Sequence, residues 1–297
     1  MDALRAFVRN NWVGYLFLSP WLIGFICLSA FPMGFSFYLS FTQYDMMNAP
    51  NWIGLSNYAE MFTADRKFMA SMKVTANYVL IGVPLQLSFA LFIALMLKRG
   101  IRGLQFYRAI YYVPSLFGGS VAIALLWRQL FGGDGLVNSL LLKVGIEGMN
   151  WLANPGTALY TLIILAIWQF GASMVIFLAG LKQIPNDLYE SSKIDGAGRY
   201  RQFSSITLPL LTPIIFFNLV MQVISAFQAF TSSYIVSGGS GGPLNSTLFY
   251  TLYLYQQGFT NFLMGYASAM AWVLLLIIAF ITALIFLSSG KWVFYQE

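Results

Sequence analysis

Six long apolar runs dominate the sequence, and each is long enough to cross a membrane as a helix. A spanning helix needs about 20 mostly apolar residues, and lipid favours helices because they hydrogen-bond their own backbone groups. Arg108 and Arg128, near the two ends of the third run, are the only charged residues in any of the six. The sequence therefore predicts an all-α membrane protein, a single domain over residues 1–297 with six transmembrane helices. The predicted helices cover residues 12–41, 74–97, 106–131, 157–181, 206–236 and 262–289.

The residue types that carry most catalytic and metal chemistry are rare or missing. Charged residues make up 9% of the chain, against roughly 25% in a soluble globular domain, which excludes an ordinary soluble enzyme. There is no histidine and one cysteine, Cys27, so a histidine-based triad and a thiolate metal cluster are both excluded. We therefore expect no catalytic residue, no metal site and no cofactor bound by this chain.

The distribution of basic residues predicts the orientation of the chain. If both termini lie on the inner side, the inner segments carry 11 of the 16 Lys and Arg residues and the outer segments carry five. Cytoplasmic segments are usually the richer in Lys and Arg, so we expect both termini in the cytoplasm. The net charge of +6 then indicates membrane topology and not nucleic-acid binding. The first run is longer than the apolar core of a secretory signal, which predicts a retained helix.

The most charged part of the sequence, residues 183–202, follows the fourth predicted helix and would face the cytoplasm. Pro185 suits the first turn of a helix, and the carboxylates of Asp187 and Glu190 complement the helix dipole near its start. Gly196 then predicts a bend. Charged segments are often solvated connectors, so the residue pattern leaves both a connector and a docking element open.

Three short motifs lie in this segment and in the helix after it: Glu190-Ser191-Ser192, Asp195-Gly196-Ala197 and Ile206-x-Leu208-Pro209. Together they resemble the EAA signature of permease subunits in binding-protein-dependent ABC importers. The resemblance is strongest to the carbohydrate branch related to the maltose and glycerol-3-phosphate transporters, and it covers nearly the whole chain. Two serines stand where the family usually has two alanines. Serine is also small, so close helix packing is retained.

The resemblance implies the fold of a type I ABC importer permease, with a cytoplasmic coupling helix that inserts into a cleft of an ATPase subunit. Glu190 and Asp195 would face basic or polar groups of that subunit. Gly196 would permit the bend, and Ala197 would allow close approach. The resemblance also implies a second six-helix permease subunit, two ATPase subunits that hold ATP and Mg, and an extracytoplasmic solute-binding protein. The assembly would lie in the inner membrane of a bacterium.

A nucleotide-binding motif is missing from the sequence. The phosphate-binding loop G-x-x-x-x-G-K-[ST] has no match, since the only Gly-Lys pair, Gly290-Lys291, is followed by Trp292. If ATP drives transport, the nucleotide has to bind to another chain. Residues 185–200 are then the place where the force would enter.

One side of the fifth predicted helix is polar and uncharged, if residues are spaced about 100° apart around the axis. Such groups are costly against lipid, so this side should face a water-filled path, where it would suit a neutral polyol such as a sugar. Holding helices together is the alternative role for each residue. The polar side holds Asn218, Gln222, Ser225, Gln228 and Ser232, and the opposite side Phe216, Val223, Phe227 and Phe230; Gln169 and Ser173 of the fourth helix are expected to add to the same cavity.

Three functions are compatible with these features. The first is a permease subunit of an ATP-driven importer that moves a sugar or oligosaccharide by alternating access. The alternative is an ion-coupled secondary sugar transporter, but proton coupling normally needs an ionisable group within the membrane. An intramembrane enzyme would need a nucleophile with a base or a metal site, and histidine is absent. The sequence favours the importer and does not identify the sugar.

Overall fold

The structure is a computed structural model that describes the backbone of residues 2–98 and 103–294, with side chains from Trp12 onward. Arg99 and Arg102, and the side chains of Arg5 and Arg9, count toward the predicted orientation and lie outside the described residues. The helices are α1 (Asp2–Phe25), α2 (Phe31–Leu39), α3 (Ser56–Thr63), α4 (Arg66–Lys98), α5 (Leu104–Leu116), α6 (Val121–Leu130), α7 (Leu136–Lys143), α8 (Ala158–Trp168), α9 (Gly171–Gln183), α10 (Asn186–Ile194), α11 (Arg199–Gln202), α12 (Leu208–Phe227), α13 (Thr231–Ser237), α14 (Tyr250–Tyr255) and α15 (Met264–Ser289).

The prediction of an all-α fold is confirmed. Within the described ranges, strands are limited to β1 (Thr42–Gln43) and β2 (Asn51–Trp52), which pair antiparallel with Thr42 opposite Trp52. In the same ranges, three π-helical turns continue the helices beside them, because each adds one residue to a turn without ending the backbone hydrogen bonding. The π-helical turns are Ile26–Ala30, Phe203–Thr207 and Gln256–Thr260.

Four helical segments of the described chain are long and apolar enough to cross a membrane. Two bent helix pairs bring the number to six if each pair is one span: α5 with α6, bent by 95°, and α8 with α9, bent by 42°. Each of the six predicted runs coincides with one of these segments or pairs. The four candidates that do not depend on such a sharply bent pair are Trp12–Leu39, Arg66–Lys98, Arg199–Ser237 and Met264–Ser289.

The third predicted helix, residues 106–131, is broken in the structure. Pro114, inside the last turn of α5, has no N–H to donate, and the adjacent pair Gly118-Gly119 is a weak helix former. A new helix begins after Ser120, whose hydroxyl accepts a hydrogen bond from the Ile123 N–H at 3.4 Å. The sequence carries the signals for this break, but apolar length alone predicts one continuous helix.

The fifth predicted helix, residues 206–236, is also interrupted. α12 ends at Phe227 and α13 begins at Thr231. Between them, the carbonyl of Ala229 accepts a hydrogen bond from the Thr251 hydroxyl at 2.5 Å, which replaces a helical donor. The predicted positions of residues around the axis of the fifth helix assume one continuous helix, so they do not apply beyond Phe227.

The chain divides into two compact units, and the prediction of one domain over residues 1–297 stays a prediction. The smaller unit comprises the residues up to Ala64 together with Leu254–Leu274. In it, the Asn57 amide donates to the carbonyls of Ser40 at 2.9 Å and Thr42 at 3.0 Å. These bonds fix the turn from α2 into the β1–β2 hairpin. Residues 12–38 of α1 and α2 have no buried side chain.

The larger unit comprises Asp65–Tyr253 and Leu275–Glu297. Its central element is α4, which packs against α8, α9 and α12. Small residues permit close approach of the helices around it. A Cβ atom at Gly180 of α9 would overlap Ile214 of α12, and one at Gly171 would overlap the Tyr111 carbonyl oxygen of α5.

Gly171→Ala is expected to destabilise the larger unit. The added Cβ would overlap the carbonyl oxygen of Tyr111 and lie 2.8 Å from the Cα of Tyr112, and a backbone cannot rotate away as a flexible side chain can. We expect a loss of about 1–3 kcal/mol, seen as a lower melting temperature in detergent. Gly34→Ala is the matched control, since nothing lies within 4 Å of its added Cβ. Equal melting temperatures for the two variants would contradict this packing.

Candidate functional site

A cavity of about 350 Å³ lies within the larger unit, beside the breaks in the third and fifth spans. α4, α8 and α12 contribute to its wall, together with residues 118–119 and 228–232. Its lining is uncharged and combines amide and hydroxyl groups with aromatic rings. The lining residues are Tyr78, Gln86, Gly118, Gly119, Ala166, Gln169, Gln222, Ser225, Ala226, Gln228, Ala229, Phe230, Thr231 and Ser232.

The cavity brings together four of the six residues predicted for a substrate path: Gln169, Gln222, Ser225 and Gln228. Ser225 and Gln228 are exposed, and Gln169 and Gln222 are half-buried. Side chains at these positions can donate to and accept from a polar solute. Their role in transport stays a prediction.

The other two predicted residues lie outside the lining of the cavity. Ser173 is 2% exposed, and its hydroxyl accepts a hydrogen bond from the Gln222 amide at 3.0 Å. It therefore orients a lining residue from behind. Asn218 is also 2% exposed, and its amide donates to the Ile214 carbonyl of its own helix at 3.0 Å.

Sequence reasoning missed several lining residues. Gln86 was detectable, because it is one of two amides in the apolar run 74–97, with Asn77. The pair Gly118-Gly119 could have been found from its position after Pro114. The sequence predicts Phe230 on the side of the fifth helix opposite the polar residues, and that prediction is wrong. The helix ends at Phe227, so the chain turns and Phe230 lines the cavity.

Two glutamine amides satisfy backbone carbonyls where helices break beside the cavity. The Gln86 amide donates to the Gln169 carbonyl, where α8 ends, at 3.4 Å. The Gln169 amide in turn donates to the Gly118 carbonyl, between α5 and α6, at 3.0 Å. Irregular backbone is tolerated at membrane depth when it lines a cavity or is bonded by protein groups. The two amides therefore hold the broken helices in place and leave the cavity wall polar.

Residues 185–200 form a helix and a bend in the larger unit. α10 begins after Pro185 and carries Asp187 in its first turn and Lys193 in its last, so both charges complement the helix dipole. The bend is a Schellman motif, in which the Gly196 N–H donates to Lys193 and the Ala197 N–H to Ser192, at 3.0 and 2.8 Å. Gly196 has φ of 79°, a left-handed conformation that favours glycine.

The side chains of this segment divide between two faces. Glu190, Ser191 and Asp195 are exposed, and Ile194, an apolar residue, is 88% exposed. Ser192 and Ala197 are half-buried. The exposed face therefore combines two carboxylates with one apolar side chain, and its role in docking stays a prediction.

Candidate membrane spans beside an uncharged polar cavity define a class, the membrane transport proteins. Within that class, the chain belongs to the family described as "Binding-protein-dependent transport system inner membrane component", which it matches over residues 4–291. It is therefore a multi-pass inner-membrane component of such a transport system. This membership confirms the resemblance drawn from the EAA-like motifs.

Curated relatives carry the same assignment. The chain is 56% identical over 298 residues to the "Probable ABC transporter permease protein YesP" of Bacillus subtilis, covering 100% of this chain and 96% of that protein. It is 34% identical over 287 residues to the arabinooligosaccharides transport system permease protein AraP of the same organism. That match covers 93% of this chain and 88% of AraP. These relatives are ABC transporter permeases, so the alternative of an ion-coupled secondary transporter is not retained.

A solved structure has the same fold. A permease chain of a bacterial alginate ABC transporter, in complex with its alginate pentasaccharide-bound periplasmic protein, superimposes with a TM-score of 0.79. The match covers 95% of each chain at 22% sequence identity. At this identity the likeness establishes the fold, which is that of an ABC importer permease.

The cavity predicts which positions water can reach. In a Cys27→Ser background, single cysteines at Gln222, Ser225 and Gln228 are expected to react with a water-soluble maleimide. Asn218→Cys should stay unreactive because that position is buried.

Met221→Cys is the control for this labelling, because Met221 is 50% exposed on the same helix but is not part of the cavity lining. It should react slowly, since thiolates form poorly in lipid. Equal labelling of Met221→Cys and Gln222→Cys would contradict a water-filled cavity.

Proposed function

We propose that this permease is one of two six-helix subunits of an ATP-driven importer that moves a neutral sugar or oligosaccharide across the inner membrane of a bacterium. The observation that carries the proposal is the uncharged cavity lined by amides, hydroxyls and aromatic rings. Amide and hydroxyl groups match the hydroxyls of a sugar, and aromatic faces pack against its C–H groups. The candidate pathway residues are Gln169, Gln222, Ser225 and Gln228, which line the cavity, with the buried Ser173 and Asn218 as supporting positions.

The absence of a charged residue in the cavity lining favours a neutral solute. An anionic substrate at membrane depth would call for a cation nearby, and none of the lining residues is Lys or Arg. The arabinooligosaccharide relative supports a neutral oligosaccharide, whereas the alginate importer carries an acidic polysaccharide. This chain has the fold of the alginate importer and a cavity suited to a neutral oligosaccharide.

Residues 185–200 would be the site where a separate ATPase subunit docks. Glu190 and Asp195 are exposed carboxylates on either side of Ile194, which would form the apolar centre of the contact while they pair with basic groups at its rim. Gly196 sets the bend, and Ala197 allows close approach. Ser191 and Ser192 complete the coupling segment. ATP and Mg would be held by two such subunits and not by this chain.

The proposed orientation places α10 and both termini in the cytoplasm, as the distribution of basic residues favours. The β1–β2 hairpin and α3 would then face the outside, where a solute-binding protein delivers the sugar. The periplasmic protein bound to the alginate importer supports this arrangement. Closure of the two ATPase subunits on ATP would move α10, close the inner mouth of the pathway and open the outer mouth to the delivered sugar.

Glu190→Lys is expected to abolish uptake while the chain remains in the membrane, because it places a cation where the ATPase should offer basic groups. Gly196→Pro should have the same effect, since proline cannot adopt a φ of 79° or donate to the Lys193 carbonyl. Co-purification of the ATPase and ATP-dependent uptake are the two measurements. Glu147→Lys, the same exchange at another exposed glutamate, should retain both. Normal uptake by the first two variants would refute the coupling role.

Gln222→Leu and Ser225→Leu are expected to lower sugar uptake about 2- to 10-fold each, as loss of a hydrogen bond of 0.5–1.5 kcal/mol predicts. ATPase association should be unchanged. Uptake is measured with labelled arabinooligosaccharides and with alginate pentasaccharide, and we expect the parent to import the neutral sugar.

The control is Met221→Leu, a similar exchange on the same helix outside the cavity, which should behave as the parent does. If Gln222→Leu and Ser225→Leu both leave affinity and rate unchanged, these residues serve packing alone. Preferred uptake of the acidic sugar would contradict a neutral substrate.

A further inference from the structure

The face of α10 opposite Glu190 and Ile194, which we call its inner face, contributes to a hydrogen-bonded cluster. This cluster is separate from the exposed face proposed to bind the ATPase. The cluster, which we call the Tyr189 network, consists of Lys98, Tyr189, Ser192, Gln202 and Thr207. Tyr189 and Ser192 are half-buried, one helical turn apart, on the face of α10 opposite Glu190 and Ile194. One face of this short helix is therefore free for a partner, while the other is bound to the membrane domain.

The Tyr189 hydroxyl connects α10 to two different spans. It lies 2.9 Å from the ammonium of Lys98, the last residue of α4. It also lies 2.9 Å from the hydroxyl of Thr207, the last residue of the π-helical turn that leads into α12. α4 and α12 both line the cavity, so one phenol oxygen joins the coupling helix to two walls of the proposed pathway.

The direction of these hydrogen bonds follows from the groups themselves. An ammonium can only donate, so the Tyr189 oxygen accepts from Lys98. Its own proton is then available to Thr207, whose hydroxyl lies 3.4 Å from the Gln202 carbonyl and can donate to it. The bonds run in one direction, from Lys98 through Tyr189 and Thr207 to Gln202. Hydrogen bonds in such a chain polarise and strengthen one another.

A second connection runs through Ser192, one of the two serines that replace alanine in the EAA-like motif. Its hydroxyl accepts from the Gln202 amide at 2.9 Å and donates to the Tyr189 carbonyl at 2.9 Å. The Gln202 amide also lies 3.3 Å from that carbonyl. An alanine could make neither side-chain bond, so the serine adds a link between α10 and α11 that the usual motif lacks.

We propose that the Tyr189 hydroxyl is a positioning group that makes α4 and α12 move together with α10 when the ATPase closes. This inference rests on the proposed function, since it presumes that α10 receives the force. Coupling between distant sites travels through contiguous contacts of this kind. Without the hydroxyl, α10 can still bind the ATPase through its exposed face, but its movement no longer reaches the two cavity-lining spans as a unit.

The test uses Tyr189→Phe in the complex purified from membranes, and its readout is independent of the sugar. A single cysteine at Gln228 in a Cys27→Ser background reports the cavity, and its reaction rate with a water-soluble maleimide is compared with and without MgATP and orthovanadate. Phenylalanine keeps the ring that lies 4.1 Å from the Lys98 ammonium and removes only the hydroxyl. We expect ATP hydrolysis and ATPase association to stay near the parent level while the nucleotide-induced change in labelling falls about fivefold.

Lys98→Met should reduce the labelling response in the same way. The double variant should lose no more of the labelling response than the more impaired single variant, because both changes interrupt the same chain of hydrogen bonds. Tyr107→Phe and Lys182→Met are the matched controls, and in the described part of the chain neither side chain forms a hydrogen bond or an ion pair. Both should respond as the parent does.

The outcomes separate this inference from the function on which it rests. If labelling of the parent responds to MgATP and vanadate and labelling of Tyr189→Phe responds equally, the positioning role is overturned and the proposed function is not. A parallel loss of hydrolysis and labelling response in Tyr189→Phe also overturns it, because the hydroxyl would then serve docking or folding. A parent complex that contains no ATPase and shows no response overturns the proposed function and the positioning role together.

Discussion

Backbone hydrogen bonding at membrane depth is the constraint on which the cavity depends. A carbonyl left unpaired in lipid is costly, yet the third and fourth spans both bend where helical bonds are lost. Amide side chains supply the missing donors, from Gln86 to the carbonyl of Gln169 and from Gln169 to that of Gly118. The same amides form the polar wall of the cavity. The stability of the broken helices and the proposed recognition of a polar solute therefore depend on one set of groups.

The segment that would receive the force, residues 185–200, is not part of the cavity lining. α10 presents carboxylates and Ile194 on its outer face and the Tyr189 network on its inner face. Without further contacts, α10 would be connected to the spans only through the chain at its two ends, where Pro185 and Gly196 lie. The hydrogen bonds from Tyr189 to Lys98 and Thr207 give that helix a fixed relation to α4 and α12. In the proposed mechanism, the movement of α10 and the recognition of the sugar both involve α4 and α12, two of the helices that line the cavity.

The fold and the family could be predicted from the sequence, because the length of the apolar runs and the EAA-like motifs are local properties of the chain. The sequence was also sufficient for four of the lining residues, of which Gln222 and Ser225 follow from the periodicity of the helix that ends at Phe227. It could not reveal that Phe230 turns into the cavity, because Ala229 and Phe230 are as apolar as the helix before them and the break depends on a bond from Thr251. The Gln222–Ser173 bond and the Tyr189 network depend on how distant segments pack, and no spacing along the chain encodes that.

The central claim is that this permease is moved by ATP hydrolysed on another chain. The most direct measurement is sugar uptake into proteoliposomes that contain the complex purified from membranes, with MgATP enclosed and ion gradients collapsed by ionophores. The account predicts uptake that requires the enclosed MgATP, requires the solute-binding protein and is insensitive to the ionophores. Uptake by this chain alone without ATP, or uptake that stops when the gradients collapse, would contradict it.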